Sequence, residues 1–370
     1  MDSRKARVLL DDPKNIRKVD RHGMLKLIYG LPDDMTYILA KPAPKVYGIE
    51  GVENIVFSGM GGSAIGGDII RSWLGPKVGV PIFVNRGYDI PPFVGPKTLF
   101  LAVSFSGNTA ETLSALENAL ARKCMVMALS SGGKLEQRAK DKNLLFHRLE
   151  APKGMAPRAA LGHMLVPMAL LLEKAGLVKA RTELEEAIKA LKALRERIDA
   201  TAPWKENEAK RVASSLYGYI PVVHGYGMLE VAARRWKTQM NEYAKVLAWA
   251  DFIPEMNHNS LVGWDGDKAT RDHASVILRD ATSEQDDPRF TERVDVTKEL
   301  AFSNSAKVLD VFSEGKGPLA RIMSTIYKGD YASVYLAILR KVDPLPVDAI
   351  EILKGKLEKA HSRKQKTRVV

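Results

Sequence analysis

A single cysteine, Cys124, is all that the 370-residue chain contains. That excludes an internal disulfide framework and points to a reducing compartment. Cys124 lies in the apolar run KCMVMAL, where a small core filler is the expected role rather than a nucleophile. Long hydrophobic runs are also missing: the longest, MLVPMALLL (Met164 to Leu172), is about half of what a bilayer span needs and contains Pro167. The first residues, MDSRKARVLLDDPKN, are charged and carry no apolar core of a secretory signal. No His/Cys/Asp cluster has metal-ligand spacing, no GxxxxGK[ST] loop occurs, and neither glycine-rich stretch is a nucleotide fingerprint. These absences predict a cytoplasmic protein with no membrane segment, no metal and no cofactor.

What the chain has in surplus is positive charge, a formal +12 at neutral pH. Much of it sits in the tail KGKLEKAHSRKQKTRVV and in the helix-like ALKALRERI. Such an excess suits nucleic acid, anionic metabolites or a solvated basic surface. No zinc finger, aromatic RNA-binding signature or basic zipper accompanies it, so no nucleic-acid partner is expected. Hydrophobic and charged contents of 45% and 27% are ordinary for a globular protein, and the length suits two domains.

Up to about residue 40 the chain reads as helical. A rhythm then begins: ENIVF is a short β-branched run, followed by a glycine loop and the helical pattern SAIGGDIIRSWL. PIFVN, TLFLAVSFSGNTAETLSALENALARK, CMVMALSSGGKLEQRAK and LLFHRL continue the scheme of strand, loop and helix. Residues 159–200 read as helix, and Ala202-Pro203 marks a break. The rhythm resumes in YIPVVHGYGMLEVAARRWKTQMNEYAK, with ASVILRD and KVLDVFSEG as further strands; GPLARIMSTIYKGDYASVYLAILRKV and DPLPVDAIEILKGKLEKA read as helices. Strands alternating with helices predict an α/β fold of two doubly wound units, each a parallel sheet flanked by helices. The expected division is an N-terminal domain over 1–152 with its helical extension, a helical connector over 153–203, and a C-terminal domain over 204–370.

In open parallel sheets, ligands bind beyond the carboxyl ends of the strands. FSGMGGSAIGGD, Phe57 to Asp68, lies there with five glycines and two serines, and SFSGNTAET, from Ser104, follows another strand. Each opens a helix, whose first N–H groups and partial positive charge suit a phosphate. The hydroxyls of Ser63, Ser104, Ser106 and Thr109 add donors, and Gly62 allows close backbone approach. Caps and turns use the same residues. Two such loops on successive strands favour a phosphate ester.

These residues carry a resemblance. GMGGSAIGGD followed by SFSGNTAETL resembles the sugar isomerase (SIS) domain, which binds phosphosugars. APRAALGHML, NEYAK, PEMNHNSLVGW and VDPLPVDAIEILK, in that order over most of the chain, resemble the archaeal-type bifunctional phosphoglucose/phosphomannose isomerases. The resemblance implies a homodimeric aldose–ketose isomerase with two SIS-like domains. Gly62, Ser63, Ser104, Ser106 and Thr109 would hold the substrate's phosphate. Arg158 would stabilise an enediolate and Glu242 would move the proton between C1 and C2. His258, given across the dimer interface, would open the sugar ring, and Lys354 would assist near the ring oxygen.

Taken alone, Glu242 would be a solvated helix glutamate, His258 a turn residue and Arg158 a surface cation; Glu255 is a competing carboxylate. His163 and His224 are expected to be structural. Leu345 stands where the family often has threonine, which bears on the breadth of epimer use. Two other phosphosugar readings stay open, a non-catalytic SIS-domain regulator and an isomerase of another phosphosugar. A regulator would commonly carry a helix-turn-helix domain, for which the N-terminal segment is short and irregular.

Overall fold

Short β-branched runs bounded by glycine and proline form the strands, and strong helix formers fill the intervals. The computed structural model describes residues 2–47, 49–152, 154–266 and 268–367. The first sheet contains β1 (Asn54–Ser58), β2 (Ile82–Asn85), β3 (Thr98–Val103), β4 (Met125–Ser130) and β5 (Leu145–Arg148), ordered β2-β1-β3-β4-β5. The second contains β6 (Ile220–Tyr226), β7 (Trp249–Ile253), β8 (His273–Arg279) and β9 (Lys307–Phe312), ordered β7-β6-β8-β9. Every neighbouring pair is parallel. The fold is therefore two parallel α/β units flanked by helices, as expected from the strand–helix rhythm.

Burial on both faces explains the continuous apolar runs. All six residues of β3 are buried, as a central parallel strand requires. In both sheets the chain goes first to one side and then to the other, so the order reverses between β1 and β3 and between β6 and β8. Such switch points open a crevice at the strands' carboxyl ends.

Helices fill the space shared by the sheets. The helix Leu161–Lys174 is buried from Leu161 to Leu172, which accounts for the apolar run around Pro167. The helix Pro318–Leu339 is buried almost all round, the mark of an interior helix. One continuous apolar cluster joins both helices to β1, β3, β6 and β8. Short N-terminal helices cover this layer: Asp20 caps Met24 and Leu25 at 2.7 and 2.9 Å, and the Tyr327 hydroxyl donates to the Tyr29 carbonyl at 3.3 Å. Among the described residues no helix is long and apolar enough to cross a membrane.

The sequence reading contains no strand between NEYAK and ASVILRD, whereas the structure places β7 there. This is an edge strand with Trp249 exposed and Asp251 at its centre, so it has no apolar run to announce it.

Candidate active site

Two loops meet at the first sheet's switch point. Ser63 is buried, and its hydroxyl accepts the Phe105 N–H at 3.2 Å, which stitches the loop after β1 to the loop after β3. Ser104, also buried, pairs its hydroxyl with that of Thr109 at 2.8 Å. Thr109 precedes the helix Ala110–Ala121 but makes no side-chain cap bond, so the helix's first N–H groups keep their donor capacity. Ser106 is exposed at the loop tip and accepts the Asn108 N–H at 3.3 Å. Hydroxyls beside an uncapped helix start suit a small anion.

Gly62 joins this cradle to the next part of the site. A Cβ there would lie 2.9 Å from the Pro157 carbonyl oxygen and 3.5 Å from the Arg158 Cα, so only glycine lets residues 157–158 lie so close. Arg158 is buried, with Nε 3.6 Å from the Glu242 carboxylate. Its Nη2 donates to the Pro344 carbonyl at 3.3 Å and to the Leu345 carbonyl, and its guanidinium lies over the Tyr243 ring at 5.4 Å. The cation and the carboxylate thus meet between the two units.

Glu242 ends the helix Glu230–Glu242, which starts at the carboxyl end of β6. That helix is fixed from behind. The Trp236 indole donates to the Thr325 carbonyl at 2.8 Å, and the Arg235 fork grips Asp330 at 3.0 and 2.7 Å. Arg235 Nη2 also donates to the Arg158 carbonyl at 3.1 Å, so one buried ion pair supports both the helix of Glu242 and the backbone of Arg158. Burial pushes the Asp330 carboxyl upward, and Arg235 opposes the shift. The Glu242 side chain keeps 29% of its surface exposed, enough to meet a ligand. A carboxylate beside a shielded cation can carry a proton while the cation steadies the resulting negative oxygen.

The other candidates lie apart in this chain. His258 is exposed in a short 3₁₀ turn, Glu255–His258, and Lys354 is exposed on the helix Asp348–Thr367. Among the described residues no hydrogen bond or ion pair joins either to Arg158 or Glu242. The competing Glu255 is exposed and accepts from the Asn259 side chain at 3.0 Å. His163 is buried 3.3 Å from Asp34, and His224 is buried against Phe302 and Trp264. Burial alone pushes the His224 pKa down to about 3. Cys124 is half-buried beside the outer core of the first sheet, and burial raises its thiol pKa, as befits a filler. Among the described residues no group of His, Cys, Asp and Glu could hold a metal ion.

Sequence reasoning missed Arg235, Asp330, Tyr243 and Lys245. Tyr243 and Lys245 stand inside NEYAK, the stretch that drew attention to Glu242. The Arg235–Asp330 pair joins charges from two distant helices, and no local pattern announces it.

Comparison with known proteins bears on this arrangement. Residues 205–357 match the family model of the bacterial phospho-glucose isomerase C-terminal SIS domain. The bifunctional phosphoglucose/phosphomannose isomerase of Caldicellulosiruptor bescii is 39% identical over 338 residues, covering 90% of this chain and 98% of that protein. The protein of the same name from Aquifex aeolicus is 36% identical, covering 83% of this chain and 91% of its own. Among solved structures, a hypothetical protein of Thermus thermophilus superposes with a TM-score of 0.71 at 18% identity, over 96% of this chain and 94% of that one. That likeness speaks for the fold, and the first two speak for kinship: the chain belongs to the bifunctional phosphoglucose/phosphomannose isomerase family.

Proposed function

We propose that this chain interconverts glucose 6-phosphate and mannose 6-phosphate with fructose 6-phosphate, through an enediol(ate) and without a metal ion. The observation that carries the reading is the 3.6 Å approach of Glu242, in the C-terminal unit, to Arg158, in the connector, beside the hydroxyl-lined loops. Family membership supports it. The phosphate sits on Gly62, Ser63, Ser104, Ser106 and Thr109. Glu242 takes the proton from C2 of the opened aldose, and the C–H electron pair forms the C1–C2 double bond. The O2 hydroxyl proton passes to O1, Arg158 steadies whichever of the two oxygens carries the charge, and Glu242 returns its proton to C1 as the C2–O2 carbonyl forms, giving the ketose.

His258 opens the ring in this reading. Its exposure on a turn, with no hydrogen bond or ion pair to Glu242 among the described residues, suits donation to a second copy, so the working unit is a cytoplasmic homodimer. Lys354 acts near the ring oxygen from the terminal helix. The domain division is 1–152, 153–203 and 204–370.

The test is a coupled assay of the purified chain with EDTA present, using glucose 6-phosphate and mannose 6-phosphate in turn. Fructose 6-phosphate is expected from both. Product from glucose 6-phosphate alone would narrow the substrate and implicate Leu345; product from neither, with phosphosugar still bound, would replace the reading by a sensor.

A further inference from the structure

Lys245 closes the NEYAK stretch and has no part in the mechanism above. Its backbone adopts the left-handed region, φ 53°, directly after the helix that carries Glu242. The chain reverses there, and the side chain returns over the end of its own helix. Although the side chain as a whole is exposed, its ammonium is turned onto two carbonyls: those of Glu242, and of Pro344 at 3.3 Å. Arg158 donates to the same Pro344 carbonyl, also at 3.3 Å. Arg340 ties the other side of the turn, donating to the carbonyls of Ala244 at 2.9 Å and Lys245 at 3.3 Å. One carbonyl oxygen thus links the base's helix to the cation.

Resting on the proposed isomerase reading, we propose that Lys245 is a positioning residue for the isomerisation. By bridging the carbonyls of Glu242 and Pro344, it holds the Glu242 carboxylate in register with Arg158.

Charge adds a signature. Loss of hydration lowers the Lys245 pKa, and the Arg158 charge lowers it further, against Glu242, Asp343 and Asp348; the Arg340 guanidinium reaches the residue's carbonyl. A lysine with a lowered pKa loses its proton earlier as pH rises. Deprotonation takes the charge from the bridge and weakens both of its bonds, so kcat declines on the alkaline side below the ordinary lysine range. Arginine keeps its charge throughout that range.

The test compares wild type, Lys245→Met and Lys245→Arg in the full chain, with glucose 6-phosphate, between about pH 6 and 10. Lys245→Met is expected to lower kcat roughly tenfold, since small misplacements of reacting groups cost that and more. KM should stay within about twofold, because the phosphate cradle is untouched. Lys245→Arg should recover most of kcat at neutral pH and hold it where wild type declines. Undiminished kcat in Lys245→Met would overturn the inference, as would a Lys245→Arg profile with the wild-type alkaline fall. Should Lys245→Met not fold, the Lys245→Arg profile decides alone. A wild type without isomerase activity would overturn the parent reading and this inference together; an active wild type with an indifferent Lys245→Met overturns only the inference.

Discussion

The two sheets start their switch-point loops with the same backbone and finish them with opposite chemistry. After β1 the chain passes Met60 at φ −125°, ψ 155° and Gly61 at φ 49°. At the end of β6 it passes Tyr226 at φ −138°, ψ 152° and then Gly227 at φ 52°. Gly62 and the buried Ser63 follow in the first case, Met228 and the fully buried Leu229 in the second. The contrast repeats one strand further on, where Ser104 follows β3 and Asp280 follows β8. Asp280 accepts from Arg321 and Ser313, both at 2.7 Å, and from Ser283, and its N–H donates to the Tyr226 hydroxyl at 2.8 Å. At the second switch point Asp280 is held by its own ion pair and Leu229 is fully buried, and a carboxylate there repels a phosphate. The lesson is that a switch point offers a place for an anion, but side-chain chemistry decides whether one can enter. In the proposed reading the second unit contributes Glu242 from the helix after its loop, and phosphate binding falls to the first.

The largest effect that sharpens this contrast is on stability. Asp280→Ala strands the largely buried Arg321 and should lower folding stability by about 3–5 kcal/mol, read by denaturant melts. In the fraction that stays folded, kcat/KM should be unchanged; a large rise in KM would mean that the second crevice binds substrate after all.

Next comes the first crevice. Ser104→Ala combined with Thr109→Val removes the hydroxyl pair and should lower kcat/KM about 100-fold, since bonds to charged groups contribute about 1.5–3 kcal/mol each. The matching pair Ser283→Ala with Ser313→Ala should leave kcat/KM within about twofold. Equal losses from both pairs would break the comparison.

The smallest effect concerns β6 itself. Burial holds the His224 pKa down to about 3 against an ordinary 6.5, and among the described residues neither ring nitrogen has a hydrogen-bond partner. The unfolded ring takes a proton below about pH 6.5 while the folded one refuses it. Stability is therefore full above that pH and is lost below it at about 1.4 kcal/mol per unit. Between pH 6.5 and 5 this amounts to about 2 kcal/mol, and His224→Phe should remove that slope from melts across the range. An unchanged slope would show that another group carries it.

Much of the fold was legible because its strands are short apolar runs ended by glycine, a pattern set by burial on both faces. β7 was hidden because its five residues, WADFI, carry Asp251 at the centre and run straight into Pro254, with no glycine turn to mark them. The two glycine- and hydroxyl-rich loops were legible since their glycines and hydroxyls are local in sequence. The Arg158–Glu242 approach spans 84 positions and came only through family resemblance. Its support, Arg235 on Asp330, was illegible for the same reason: two charges on separate helices give no sign that they face one another. Lys245 was visible as a residue, but its return over its own helix depends on one backbone angle.

The most direct test of the central claim is solvent deuterium exchange at C1 and C2 of the phosphosugar in D₂O, for wild type and for Glu242→Gln. Wild type should incorporate deuterium as it turns over. Glu242→Gln should exchange roughly 1,000-fold more slowly while binding glucose 6-phosphate within a few-fold of wild type. Exchange at the wild-type rate in Glu242→Gln would contradict the account, because another group would then be moving the proton.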